Sequence, residues 1–280
     1  MKPEYIDIHA HTNFTVFDAD RGDVVKRALN AGVWMINVGT QQDTSRKAME
    51  MTKEFPEGVY AIIGLHPIHA NASFHDKDEF GDDAVGFTSR GEAFDRDFYR
   101  KLAREGGKKV VGIGECGLDY YRAPSEEEHK RQKEAFISQI ELALELDLPL
   151  MLHVRNAYRD VLDILKPYKQ KFGDKLRGDA HFFAGTVEEA KEFLDLGFHL
   201  SYTGVVTFAK QYIELVKATP LDRIMSETDC PYVAPHPERG KRNEPFFVTH
   251  IADKIAGIKG QLPVECRKQL VENAFKLFRL

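Results

Sequence analysis

Val110-Val111-Gly112-Ile113-Gly114-Glu115, then Ser125-Glu126-Glu127-Glu128 leading into Phe136, Ile140, Ala143 and Leu144, then Pro149-Leu150-Met151-Leu152-His153: this stretch decides the fold. The outer segments are short aliphatic runs with Gly or Pro at hand, the pattern of strands buried on both faces. The middle one opens on a capping box, Ser125 with Glu128, and its three- and four-residue apolar spacing predicts a helix to Leu146. Strand, helix and second buried strand in succession make a parallel βαβ unit.

The same alternation runs outward in both directions. Tyr5–His9, Val33–Gly39 and Val59–Leu65 precede the unit, and Leu176–Phe182, His199–Gly204 and Ile224–Thr228 follow it, each reading as a buried strand. Helical spacing marks Arg21–Ala31, Gln41–Glu54, Asp97–Glu105, Ala157–Phe172, Val187–Leu196 and Ala209–Ala218, with Pro245–Ala256 and Val264–Phe278 after the last strand. Eight strand–helix units within 280 residues predict a closed (β/α)8 barrel, and an open doubly wound sheet is the alternative with the same local pattern. No Pro- or Ser-rich linker divides the chain, so residues 1–280 are expected to form one barrel. The longest gap, between the third and fourth strands, is acidic and weakly periodic from His75 through Glu92. It predicts an insertion at about 74–95 in the third βα loop, on the face where barrels carry active sites.

Composition narrows the class. The chain carries 39 basic and 44 acidic side chains for a formal charge of −5, with 42% hydrophobic residues, and a mean hydropathy of −0.40. Those values exclude a disordered polar chain and a disulfide scaffold, and they argue against a surface coated in positive charge for gripping nucleic acid. No window approaches roughly 18 uninterrupted apolar residues, so no membrane span is expected. Met1-Lys2-Pro3-Glu4 runs straight into the first strand, and Cys116, Cys230 and Cys266 share no CxxC spacing. Both features predict a cytoplasmic protein without a signal peptide.

The chemistry lies at strand ends. His9 and His11 close the first strand two residues apart, so both rings are expected to face one cavity, with Asp7 on the same face. Asp7 is then either a group orienting a ligand or a buried carboxylate satisfied by amides. The fourth strand ends at Glu115, the fifth at His153, the sixth at His181, and the eighth runs into Asp229. In a barrel those five ends meet at one mouth. Four imidazoles and two carboxylates without thiolate suit Zn²⁺, Mn²⁺, Co²⁺ or Fe²⁺, with Mg²⁺ if water completes the shell. Six ligands exceed the three that one catalytic zinc takes from protein, so two divalent metals (Mg, Mn or Zn) are expected, with Glu115 bridging them. Such a pair acidifies water and neutralises charge on a phosphate or carbonyl. Asp229 has lone pairs both to ligate and to accept the proton of the attacking water. Cys116 alternates with Glu115 and is expected to point into the core.

Asp7-x-His9-x-His11, Gly64-Leu65-His66-Pro67, Gly114-Glu115-Cys116-Gly117-Leu118-Asp119-Tyr120-Tyr121, Leu152-His153-Val154-Arg155, Glu227-Thr228-Asp229-Cys230-Pro231-Tyr232 and Arg242-Asn243-Glu244-Pro245 resemble, in order, the motifs of the TatD family of metal-dependent hydrolases. The resemblance runs from Tyr5 to Phe278. It implies a TIM barrel of the amidohydrolase type with two divalent metals and, often, deoxyribonuclease activity. By that resemblance His9, His11, Glu115 and Asp229 hold one metal, and Glu115, His153 and His181 the other. Three departures stand out. Thr12-Asn13 replace Leu-Asp, Phe182-Phe183-Ala184 replace Cys-Phe-Ser after His181, and Ile68 precedes His69 where a histidine usually follows the proline. They are expected to alter the substrate wall while leaving every metal ligand in place.

His66, at the end of the third strand, is expected as a catalytic group that hydrogen-bonds a phosphoryl oxygen or leaving group. Arg155, two residues past His153, either meets a substrate anion or makes an internal salt bridge. The loop Pro235–Asn243 concentrates Arg239, Lys241 and Arg242, which either bind phosphate or form a solvated turn; Arg242 and Asn243 are taken as substrate-binding candidates. Tyr120, Tyr121 and Tyr202 offer faces for base stacking or for packing. His69, His75, His129, His199, His236 and His250 lack matched spacing and receive no ligand role.

Three functions follow. The first is a metal-dependent phosphodiesterase that shortens DNA from a 3′ end, acting as a monomer on DNA or a small phosphodiester. The second keeps the site but hydrolyses a cyclic amide or aminoacyl ester, a smaller and less anionic substrate suited to the acidic balance. The third is a metal-binding scaffold without catalysis, which an intact ligand set disfavours.

Overall fold

The computed structural model describes residues 2–71 and 91–280, together with the backbone of 74–75 and 87–88. Among these, the strands in chain order are β1 (Tyr5–Ala10), β2 (Val33–Val38), β3 (Val59–Ile63), β4 (Phe74–His75), β5 (Phe87–Thr88), β6 (Val110–Asp119), β7 (Leu150–Arg155), β8 (Gly178–Ala180), β9 (His199–Tyr202) and β10 (Ile224–Ser226). β1, β2, β3, β6, β7, β8, β9 and β10 pair in that order, every ladder parallel. These are the eight strands the sequence predicts. β4 and β5 form a separate antiparallel pair inside the expected insertion; most of its remaining residues lie outside those described.

The helices are α1 (Arg21–Asn30), α2 (Gln42–Glu54), α3 (Arg96–Gly106), α4 (Glu126–Leu146), α5 (Tyr158–Phe172), α6 (Val187–Asp195), α7 (Gln211–Ala218), α8 (Val248–Lys259) and α9 (Pro263–Phe278). The Ser125–Glu128 capping box forms at the start of α4, with Ser125 accepting from the Glu128 amide and Glu128 reaching back.

Two packing layers hold the barrel. Ile6, Ile8, Ile36, Ile62, Val111, Met151 and Met225 come from six strands and form one buried cluster with Leu277 and Phe278 of α9. Residues from so many parallel strands meet only inside the barrel. Trp34, near the start of β2, stacks on Phe275 of α9, so α9 closes the N-terminal end. The larger cluster fills the space between strands and surrounding helices.

The seam is closed beyond the last ladder. β10 is short, and β1 meets the residues after it: the Asp229 amide donates to the His9 carbonyl at 2.9 Å, and the His11 amide to the Cys230 carbonyl at 2.9 Å. This zipper of two backbone bonds carries the two ends that the site needs.

Candidate metal centre

β1 departs from simple alternation. Ile6 and Ile8 pack in the interior cluster, and Asp7 pairs with Met35 of an outer cluster, so Asp7 does not share the face of the site. Its carboxylate accepts from the His9 amide at 3.2 Å, the Thr228 amide at 2.9 Å and the Thr228 hydroxyl at 2.5 Å. Asp7 is therefore a buried carboxylate that ties β1 to the residues after β10. A register shift between Asp7 and Ala10 then turns the His9 ring into the mouth.

Glu115 lies at the centre. Its Oε2 is 3.3 Å from His9 Nε2 and 3.8 Å from His11 Nε2. Asp229 Oδ1 completes this group at 3.8 Å from His9 Nε2 and 3.4 Å from His11 Nε2, and the two ring nitrogens are 3.1 Å apart. Glu115 Oε1 faces the other way, 2.9 Å from His153 Nδ1, 2.9 Å from His181 Nε2 and 3.2 Å from His66 Nε2. Donors bound to one ion at about 2.1 Å stand about 3.0–3.4 Å apart in tetrahedral or octahedral geometry. The separations run from 2.9 to 3.8 Å, around that spacing, so the imidazole and carboxylate donors gathered about Glu115 suit a divalent cation.

The outward ring nitrogens support the same reading. His11 Nδ1 donates to the Val38 carbonyl at 2.8 Å, His153 Nε2 to Asp119 at 3.1 Å, and His181 Nδ1 faces Glu227 at 3.4 Å. His11 and His153 hand the outer N–H to an acceptor and aim the inner nitrogen at the cluster, as ligating histidines do, whereas His181 Nδ1 faces a carboxylate without a close hydrogen bond and His9 Nδ1 has no partner among the described residues. His66 does the reverse: its Nδ1 accepts the Ile68 amide at 3.1 Å. A neutral ring accepting at Nδ1 carries its proton on Nε2, so His66 presents N–H, not a lone pair, towards Glu115.

Electrostatics follow from burial and crowding. Burial opposes charge on Glu115, yet His66, His181, His9 and His153 around it hold the carboxyl well below its usual range. Burial, reinforced by His181, pushes His9 down to about 3, and burial also brings His66 to about 4. His153 and His181 are buried too, but Asp119 with Glu115, and Glu115 with Glu227, raise them above the ordinary range.

Supporting groups come from residues to which the sequence alone assigns no role. Glu227 is fully buried and accepts from the Phe182 amide at 2.7 Å and from Ser201 at 2.8 Å while facing His181. Gln139 of α4 brackets Leu65, accepting from its amide and donating to its carbonyl at 2.9 Å each, which fixes the chain entering His66. Gln132, two turns earlier on the same helix, brackets Asp119 in the same manner at 2.8 and 3.1 Å. Gly117 allows β6 to approach β7: a Cβ there would lie 2.1 Å from the His153 carbonyl oxygen, at a φ of +137°. Cys116, as expected, is buried in the core.

A cavity of about 410 Å³ opens over this cluster. Glu115, His66, His153 and Asp229 line its floor, and Phe182, Ala184, Tyr212 and Val233 give it an apolar side. Arg122 and Arg155 lie on its rim, and Ile68 and His69 also face it. Of the departures from the resembling pattern, Phe182, Ala184, Ile68 and His69 thus line the wall. Thr12 and Asn13 do not: they are buried clamps to Asn37 and to the Val38 and Thr44 carbonyls.

The cationic loop resolves to local pairing. Arg242 forms two bonds to Asp20 at 3.0 and 2.6 Å and one to the Val16 carbonyl, and it lies over Phe17. Asn243 is fully buried, donating to the Thr228 and Tyr232 carbonyls and accepting from the Glu244 amide. Neither lines the cavity, so the structure does not bring these two expected substrate-binding residues to it; their polar atoms are spent on holding the loop. Arg239 likewise bonds the Ala234 carbonyl, and Lys241 pairs with Glu238. Among the tyrosines, Tyr202 is fully buried and Tyr120 is tied to Asp160 and stacked on His129, whereas Tyr121 is exposed.

Comparisons with known proteins agree with this architecture. The sequence model of the family described as TatD related DNase matches residues 6–279. The chain is 39% identical over 277 residues to the metal-dependent hydrolase YabD of Bacillus subtilis (strain 168), covering 98% of each. It is 36% identical over 282 residues to the 3′-5′ ssDNA/RNA exonuclease TatD of Erwinia billingiae (strain Eb661), again covering 98% of each. The crystal structure of YJJV, a TatD homolog from Escherichia coli K12, shares the fold with a TM-score of 0.81 at 24% identity, with 100% of both chains covered.

Proposed function

We propose, for a chain that belongs to the TatD related DNase family of metal-dependent hydrolases, a phosphodiesterase that removes nucleotides from the 3′ end of single-stranded DNA. The observation that carries this reading is the division of Glu115 between two donor groups, His9, His11 and Asp229 on one oxygen and His153 and His181 on the other. Two divalent ions, Mg²⁺, Mn²⁺ or Zn²⁺, suit that arrangement, and when bound they polarise phosphoryl oxygens and acidify water. The relatives named as 3′-5′ ssDNA/RNA exonucleases support the substrate and polarity.

The chain's own groups divide the remaining work. Asp229 directs Oδ1 at His9 and His11, while Oδ2 makes no hydrogen bond among the described residues and takes the proton of the attacking water. His66 donates from Nε2 to a phosphoryl oxygen or to the departing oxygen, since its tautomer is set by the Ile68 amide. Phe182, Tyr212 and Val233 form a wall against which the terminal base excludes water. The whole chain acts as one barrel domain and as a monomer. Among the described residues no helix is long and apolar enough to cross a membrane, and three free, buried cysteines suit a reducing cytoplasm.

Incubation of the chelator-stripped protein with 5′-labelled single-stranded DNA and Mg²⁺ or Mn²⁺ tests the proposal. A ladder shortened from the 3′ end, lost in Asp229→Asn, is the expected result. Absence of metal-dependent products in the wild type overturns it. The apolar wall also admits a cyclic amide or aminoacyl ester; a parallel screen of such substrates separates the readings by kcat/KM.

A further inference from the structure

Arg155 and Tyr121 stand apart from every contact assigned so far. The Arg155 guanidinium lies 3.8 Å above the centre of the Tyr121 ring. Among the described residues it makes no side-chain hydrogen bond and no ion pair, although it lines the rim of the cavity. The cations of the Pro235–Asn243 loop, Arg239, Lys241 and Arg242, are by contrast each held by a carbonyl or carboxylate. Tyr121 remains 59% exposed even with the guanidinium over one face. A large exposed aromatic carrying an unpaired cation at a cavity mouth is an arrangement with both a charge and a π-face to offer.

We propose that the Tyr121–Arg155 pair is the subsite for the penultimate nucleotide of a single strand, with its base stacked on Tyr121 and its phosphate held by Arg155. This rests on the nuclease reading above. The spacing favours it. Arg155 follows His153 by two residues on β7, which is about 7 Å along a strand and roughly one nucleotide repeat. A strand whose reacting phosphate lies over Glu115 and His153 therefore brings its next phosphate to Arg155. Stacking requires an unpaired base, so the pair selects single-stranded over duplex substrate. It tolerates any base, because each has a π-face. The charge is local, in keeping with a chain of net charge −5.

The test is a cycle between ring and base. Anisotropy with chelator present measures binding of a single-stranded oligonucleotide, and a matched one lacks the base at the penultimate position. Wild type and Tyr121→Phe are expected to prefer the complete strand by roughly tenfold, the lower range of base–aromatic stacking. In Tyr121→Ala the preference disappears, and Arg155→Ala weakens both strands alike. Tyr121 is exposed, so its substitution leaves the melting temperature close to wild type. Equal preference in wild type and Tyr121→Ala overturns the subsite, even if the DNA is cleaved normally and the nuclease reading stands. A Tyr121-dependent preference without metal-dependent cleavage upholds the subsite and overturns the nuclease reading instead.

Discussion

Replacing Glu227 by Ala isolates the support that this structure gives to His181. Glu227 makes three contacts, at 2.7 Å to the Phe182 amide, 2.8 Å to Ser201 and 3.4 Å to His181 Nδ1. The Ser201 hydroxyl also reaches Asp179 at 2.6 Å, so it keeps a partner when Glu227 is gone. The Phe182 amide does not, and a half-buried donor left without an acceptor costs about 1 kcal/mol. His181 loses the acceptor that orients its ring, a change worth about 10–100-fold in metal affinity. Glu227→Ala is therefore expected to bind Mn²⁺ or Zn²⁺ about 10–100-fold more weakly while unfolding only a few degrees earlier. Glu227→Gln supplies the control. Its carbonyl oxygen serves both the Phe182 amide and His181, and its amide donates to Ser201, which then donates to Asp179. It should bind within a few-fold of wild type. Isothermal titration of the metal into stripped protein, with a melting curve for each variant, reads both quantities. Wild-type affinity in Glu227→Ala would refute the orienting role, and equal losses in both variants would assign the effect to charge instead of hydrogen bonding.

Other expectations follow from single contacts. Gly117→Ala sets a methyl against the His153 carbonyl at a backbone angle hostile to side chains, and calorimetry should record a loss of about 2–4 kcal/mol. Arg242→Ala should lower stability by about 1 kcal/mol through its pair with Asp20 and leave the KM for DNA unchanged; a raised KM would return Arg242 to the substrate site. His66→Ala should keep the metal content of the wild type and lower kcat by about 100-fold, and loss of metal would make His66 a ligand after all.

The fold was legible because burial writes itself into composition. Strands covered on both faces must be apolar throughout, and helices against them must carry an apolar stripe, so the alternation from Tyr5 to Ser226 marks the barrel strands. The convergence of His9, His11, Glu115, His153, His181 and Asp229 was legible for a related reason, since all parallel strands of a barrel end at one mouth. What escaped was anything set by a local break in periodicity or by a partner distant in sequence. Asp7 was placed on the face of His9 by strict alternation, which the register shift before Ala10 overrides. Arg242 looked free because nothing in its own loop announces Asp20, 222 residues away. Gln132 and Gln139 sit on a helix face that periodicity alone would fill with apolar residues, yet each binds both backbone polar groups of a residue at or just past a strand end, Asp119 and Leu65.

The same limit explains why the histidines could be gathered from the sequence but not sorted. Five rings reach Glu115, and all are imidazoles at strand ends; their difference lies in what the far nitrogen meets. A carbonyl behind His11 and a carboxylate behind His153 take a proton outward and leave the inner nitrogen able to coordinate. An amide behind His66 sends the proton inward and makes the ring a donor. One backbone N–H, supplied by the turn that begins at Pro67, thus separates a hydrogen-bonding group from a metal ligand. His66 follows from that turn as much as from its own side chain. Retaining His66 while displacing the Ile68 amide would free its Nδ1 to carry the proton and turn Nε2 into one more lone pair facing the cations, at the expense of the donor that the departing oxygen needs.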